Sequence, residues 1–411
     1  MRFGKESFAY LLSLGKWTFF ALLTGMLGGG IGALFLRLFE LVVGLYQKIP
    51  YLSWALPLAG LLIAGSYRLF KREDDRGTNE IIAAAQTGKP VSPLMMPLVM
   101  LGTLLTQLCG GSAGKEGAAL QIGSSLGSGV GRLCRLPAEG MTLVSLCGMS
   151  AVFSAVFGTP VTASLFVLEF TSVGVIHASA FPACLLAAVT ALLTARLLGA
   201  AGEAFPVPAV PQLSFGTLGG VLVLALAAGI VSILFCLLLH GAEELLAKIL
   251  PNRFLRIAAG GLLLAVLIFF LGKYGLAGSG AGTISSLLAG GPVFPLFFLL
   301  KMLFTALTVG SGFKGGEIVP TLAIGAGLGA LLAPLLSLDP AFGAAVGMAA
   351  LFAGVTNCAV SAVVLSAELF GFEGFLFFAL AAAVSYAVSG NISLYKTQRI
   401  FFSKASGKIT D

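Results

Sequence analysis

Residues 101–127, LGTLLTQLCGGSAGKEGAALQIGSSLG, and residues 303–329, LFTALTVGSGFKGGEIVPTLAIGAGLG, are one pattern written twice. At a shift of 202, Thr103 meets Thr305, Thr106 meets Thr308, Gly114 meets Gly316, Leu120 meets Leu322, and Ile122-Gly123 meets Ile324-Gly325. A second block follows at a shift of 199, aligning Gly148-Met149 with Gly347-Met348, Ala151 with Ala350, Phe153 with Phe352 and Glu169 with Glu368. Upstream, RGTNEIIAAAQTGKP from Arg76 corresponds in style to GAGTISSLLAGGP from Gly280. Each half therefore holds a polar, glycine-containing helix start, an apolar helix and a second glycine-rich start. Repeat-built transporters place substrate at the repeat interface near the bilayer midplane, where broken helices point their positive ends at an anion. A duplicated scaffold with glycine packing faces is the plainer alternative.

The composition requires a membrane. Of 411 residues, 58% are hydrophobic and 10% charged, against roughly 25% charged in a soluble domain. Apolar stretches near 17–46, 51–70, 93–110, 141–168, 178–200, 215–240, 254–272 and 293–310 suit bilayer spans, and roughly ten or more helices are expected, some short or broken. The net charge of +7 gathers at the ends: Arg2, Lys5 and Lys16, then Lys396, Arg399, Lys404 and Lys408. The positive-inside bias explains this better than nucleic acid does, and it places both termini in the cytoplasm, with an even number of complete crossings. The start shows no compact apolar core followed by a small-residue cleavage site, so no removable signal peptide is expected, and it reads as an amphipathic lead-in. Six cysteines without a CxxC pair read as packing residues, with no metal or cofactor implied.

The chemistry concentrates in GGSAGKEGAALQIG, where Lys115 and Glu116 sit in a glycine frame that opens an apolar helix. Free amides at a helix start carry about half a positive charge, enough to hold an anion or the Glu116 carboxylate. A lone buried carboxylate costs several kcal/mol, so Glu116 reads as a gate that competes with the anion and leaves when protonated; a capping glutamate is the alternative. In FKGGEIVPTLAIG, Pro320 suits a first helical turn, and the amides of Ile318 and Val319 are set to meet the same anion. Glu317 falls where Lys115 falls in the first half, as a second protonatable group or as a first-turn acid for its own helix. Tyr395 has a hydroxyl to offer, although its position alone favours an interfacial anchor. Glu169 and Glu368 end matched helices, as caps or in a proton path. His177 and His240 show no ligand spacing and read as interfacial. An intramembrane enzyme using Lys115 and Glu116 on a lipid phosphate is the alternative of another class, but no His, Asp or Ser constellation supports it.

These residues carry a resemblance: the chain resembles the CLC family of chloride channels and proton-coupled anion antiporters over about residues 15 to 400. GSAGKEGAALQIG is similar to the family's GREGP signature, with Lys115 for arginine and Ala118 for proline; GSGFKGGEIVP is similar to its second-half GGxFxP signature. The resemblance implies an all-α polytopic fold of two inverted-topology repeats and a homodimer with one ion path per subunit. It makes Glu116 the proton-accepting gate, places the anion against the segments Gly114, Lys115, Gly117, Ala118 and Ile318, Val319, and makes Tyr395 the hydroxyl donor. Where the family has GSGIP this chain has RGTNE, leaving Thr78 and Asn79 as partial replacements for a serine ligand. Phe170 stands where family antiporters carry a second, proton-handling glutamate. Chloride is the first expectation; GGEIVP and Glu317 look closer to the fluoride-exporting branch, so fluoride is the alternative. The expected organisation is a lead-in at 1–15, repeats at 16–200 and 201–400, and a short cytoplasmic tail at 401–411 with no regulatory domain, in a multi-pass protein of the inner membrane.

Overall fold

The computed structural model describes residues 2–200, 202–402 and 404, with the backbone alone for 2–10 and 273. The expected 401–411 tail lies outside the described residues except for 401, 402 and 404. Described helices fall into two sets of eight. The first set is α1 (Arg2–Lys48), α2 (Leu56–Leu69), α3 (Thr78–Thr87), α4 (Met95–Leu108), α5 (Glu116–Leu133), α6 (Ala138–Phe157), α7 (Pro160–Glu169) and α8 (Phe181–Leu197). The second is α9 (Phe215–Ile249), α10 (Arg253–Leu271), α11 (Ala281–Leu288), α12 (Phe297–Gly310), α13 (Ile318–Leu332), α14 (Pro340–Thr356), α15 (Ala359–Phe370) and α16 (Phe375–Val388). The packing repeats as well: α5 lies on α6 as α13 lies on α14, and α1 lies on α6 and α8 as α9 lies on α14 and α16. Two two-residue strands, β1 (Ser172–Val173) and β2 (Arg399–Ile400), pair in parallel.

Seven described helices are long and apolar enough to cross a bilayer. Leu11–Lys48 of α1 has 38 residues, about 57 Å at 1.5 Å per residue, so it must tilt or project beyond a hydrocarbon core of about 30 Å. At the other extreme, α3, α7 and α11 have 10, 10 and 8 residues, too short to cross such a core. The run 141–168, read from sequence as one span, is two helices. Gly158, with φ 88°, closes α6 in a left-handed conformation that favours glycine, and Pro160 opens α7 because its ring suits only a first turn. Asn357, with φ 59°, makes the corresponding break between α14 and α15.

Glycine decides how closely the long helices pack. A Cβ on Gly123 would collide with the Gly148 carbonyl, and one on Gly148 with the Gly123 carbonyl; the matched pair Gly325 and Gly347 repeats the clash in the other half. In each half the backbones of two helices touch, as small-residue packing allows. Gly325→Ala is expected to cost about 1–3 kcal/mol because a rigid carbonyl cannot move aside. Gly65→Ala, where a Cβ meets nothing within 4 Å, is expected to be neutral or slightly stabilising; thermal unfolding in detergent compares the two.

Two carboxylates cross-link the halves. Glu368, at the end of α15, accepts from the Val161 and Thr162 amides (3.0 and 2.7 Å) and the Thr162 hydroxyl (2.6 Å) at the start of α7. Glu169, at the end of α7, accepts from the Val360 and Ser361 amides (3.1 and 2.8 Å) and the Ser361 hydroxyl (2.5 Å) at the start of α15. Each helix is thus capped by the last turn of the other, which satisfies amides that have no acceptor of their own.

Candidate functional site: two helix starts and a polar cavity

The starts of α5 and α13 meet through one residue pair. Gly114 N–H donates to the Gly316 carbonyl at 2.5 Å and Gly316 N–H returns to the Gly114 carbonyl at 2.8 Å, an antiparallel bridge between matched positions. The segment before it is anchored by the repeated threonines of α12: Ser112 N–H donates to Thr308 Oγ1 (3.1 Å), and its hydroxyl meets Thr305 Oγ1 (2.9 Å). The bridge brings two sets of first-turn amides together, and their partial positive charges add.

Glu116 is fully buried in the first turn of α5. Its Oε2 accepts from the Lys115 amide at 3.1 Å, while Oε1 has no partner. A Cβ on Gly114 would lie 2.5 Å from Oε2, so that glycine is what admits the carboxylate. Such a half-satisfied buried group calls for an explanation beyond stability.

Near this junction opens a cavity of about 550 Å³ whose wall includes Glu317 and Tyr395 beside Thr78, Asn79 and Gln121, but not Glu116. Glu317 is the residue before α13, and the place a Gly117 Cβ would take is 3.6 Å from both Glu317 Oε2 and Thr78 Oγ1. The loop presenting Thr78 is fixed by Asp75, which accepts from the Gly77 amide (2.9 Å) and from Lys314 Nζ (2.6 Å). Tyr395 is 3% exposed and its hydroxyl has no partner. Burial overturns the anchor reading: its ring lies edge-on to Phe170, centroids 5.8 Å apart, inside the protein.

The remaining expected residues divide by what their atoms already do. Gly117, Ala118, Ile318 and Val319 occupy buried first turns, so they have main-chain amides to offer. The Lys115 ammonium is turned to Glu203 at 2.8 Å, over the Phe39 ring, and lies outside the cavity wall. Asn79 Oδ1 accepts from the Thr397 amide and hydroxyl, both at 3.1 Å, tying α3 to the segment just after Tyr395. Three groups escape the sequence reading: the buried and unpartnered Tyr67 hydroxyl, Gln121 Oε1 and Ser311 hydroxyl, all on cavity-lining residues. Gln121 is one turn after Gly117, a spacing that could have flagged it. His240, read as interfacial, also lines the cavity.

A family model described as voltage gated chloride channel matches residues 59–390. The chain belongs to that family. The chloride/fluoride channel protein of Pseudomonas syringae pv. tomato is 34% identical over 408 residues, covering 97% of this chain and 90% of its own. The H(+)/Cl(-) exchange transporter ClcA of Vibrio cholerae is 26% identical, over 85% and 81%. Among solved structures, a CLC-type fluoride/proton antiporter matches with a TM-score of 0.90 at 31% identity, over 95% of this chain and 99% of that one. A slow cyanobacterial Cl-/H+ antiporter shares the fold, TM-score 0.75 at 22% identity, over 91% and 94%. The expected all-α, polytopic CLC fold is therefore the observed one, and the lipid-phosphate enzyme is set aside for a transporter.

Proposed function

We propose that this CLC-family protein exchanges a small inorganic anion, fluoride ahead of chloride, for protons, with Glu116 as gate and Glu317 as the second protonatable group. The observation that carries the reading is a pair of carboxylates at two bridged helix starts: Glu317 lines the cavity, and Glu116 is fully buried, outside the cavity wall, with a spare oxygen. A passive pore needs no such pair. Fluoride takes precedence because the 31%-identical structure is a fluoride/proton antiporter and the 34%-identical relative a chloride/fluoride channel protein. The anion would rest against the first-turn amides of both helices and the Tyr395 hydroxyl, with Thr78 at the cavity end.

The cavity also suggests orientation. Arg76, Arg253, Arg256, Lys314 and Lys396 line it, and the positive-inside bias supports a cytoplasmic mouth and cytoplasmic termini in the inner membrane. A homodimer, each subunit with its own path, follows from the family resemblance.

Proteoliposomes exposed to fluoride, chloride and nitrate gradients, with pH recorded together, test the proposal. A fluoride gradient is expected to drive protons uphill; a large voltage-driven anion current without uphill proton movement would make the protein a channel. Tyr395→Phe removes one hydrogen bond to a charged ligand, worth about 1.5–3 kcal/mol. Calorimetry is expected to show anion affinity weakened by roughly 10- to 150-fold.

A further inference from the structure

The same cavity has an ionisable group that anion binding does not use. His240 Nε2 on α9 lies 3.1 Å from the Leu394 carbonyl, next to Tyr395. A carbonyl only accepts, so Nε2 carries the proton and Nδ1 is left as the base. Glu243, one helical turn on, lines the cavity with it, as does Glu317. This turn of α9 is pressed on the chain that leads to Glu317: a Cβ on Gly310 would lie 3.1 Å from Glu243 N.

The charges around His240 are largely matched to one another. From the C-terminal segment, Lys396 pairs with Glu244 (2.9 Å) and Glu243 (3.7 Å) of α9. Lys314, before α13, pairs with Asp75 (2.6 Å), and Arg253 of α10 with Asp74 (3.2 Å). Arg256 of α10 reaches the Leu250 carbonyl (3.5 Å). Among the described residues, Glu317 and His240 are in no ion pair. Phe170, which stands where family antiporters carry a proton-handling glutamate, has no ionisable group to offer. It is wholly buried and stacked on Phe166, and Gln398 Nε2 covers its carbonyl at 2.9 Å.

We propose that His240 is the proton relay of the cavity, its Nδ1 taking protons from solution and handing them, alongside Glu243, to Glu317. Each transfer moves one proton and no electrons, and the imidazole returns to its neutral form. The proposal rests on the antiport reading. It is tested with the full-length protein in fluoride-loaded vesicles, measuring proton flux against pH on the cavity side. In His240→Gln the side-chain amide can still donate to Leu394 but cannot titrate. Its proton flux is expected to fall about tenfold and to become less dependent on cavity-side pH than that of the parent, with fluoride affinity by calorimetry retained. His240→Ala, which also loses the hydrogen bond, is expected to weaken fluoride binding as well. A wild-type pH profile in His240→Gln, or parallel loss of binding and flux in that variant, would overturn the relay. If the unmodified protein moves no protons uphill while conducting fluoride, the antiport reading fails and the relay with it.

Discussion

Glu116→Gln is expected to reduce anion-driven proton movement to that of protein-free vesicles while leaving a folded, anion-binding protein. The amide has nearly the shape of the carboxyl group, so the space admitted by Gly114 stays filled and the Gly114–Gly316 bridge is undisturbed. What disappears is the negative charge that competes for the first-turn amides and the proton that releases it. Removing a buried charge whose Oε1 has no partner also relieves a desolvation cost of several kcal/mol, so the variant should melt no lower than the parent. Uphill proton movement persisting in Glu116→Gln, recorded with a pH electrode during fluoride efflux, would remove Glu116 from the proton path.

The largest loss of stability is expected from the cross-linking carboxylates. Glu368→Ala strips three charge-assisted acceptor contacts from the start of α7, and Glu169→Ala strips three from the start of α15. With buried amides left unpaired, each change is expected to cost about 3–5 kcal/mol. Both carboxylates clamp the same two helices, so the double variant is expected to lose less than the sum, with about 0.5–3 kcal/mol of coupling. Thermal unfolding in detergent measures this. Whatever Glu169→Ala protein still folds is expected to keep its proton-to-anion ratio, since every bond made by Glu169 is structural. A changed ratio would return Glu169 to the proton path that its position in the sequence also allowed.

What the sequence made legible was the repeated pattern. Glycines at 114 and 316, and at 123 and 325, mark where backbones touch, and those contacts are set by local residues alone. The glycine-framed Glu116 was legible for the same reason, since a helix start advertises its amides in neighbouring residues. Partners far along the chain were not. Nothing near Lys115 announces Glu203, and nothing near Asn79 announces Thr397, 318 positions away. Both look like free ligands until the fold commits their polar atoms elsewhere. Tyr395 stood out as a hydroxyl donor only through the family resemblance, since position alone made it an anchor, and tertiary packing is what puts it and His240 in a cavity wall. The break at 158–160 was written in Gly158 and Pro160, but average hydropathy runs straight through it.

The competition between a side-chain carboxylate and the anion for converging backbone amides is best measured as proton uptake on binding. Calorimetric titration of fluoride near neutral pH, repeated in buffers of different ionisation enthalpy, counts protons directly. Expulsion of the Glu116 carboxylate requires about one proton taken up per anion bound, and none in Glu116→Gln. Fluoride binding without proton uptake, or with the same uptake in the glutamine variant, would contradict the account.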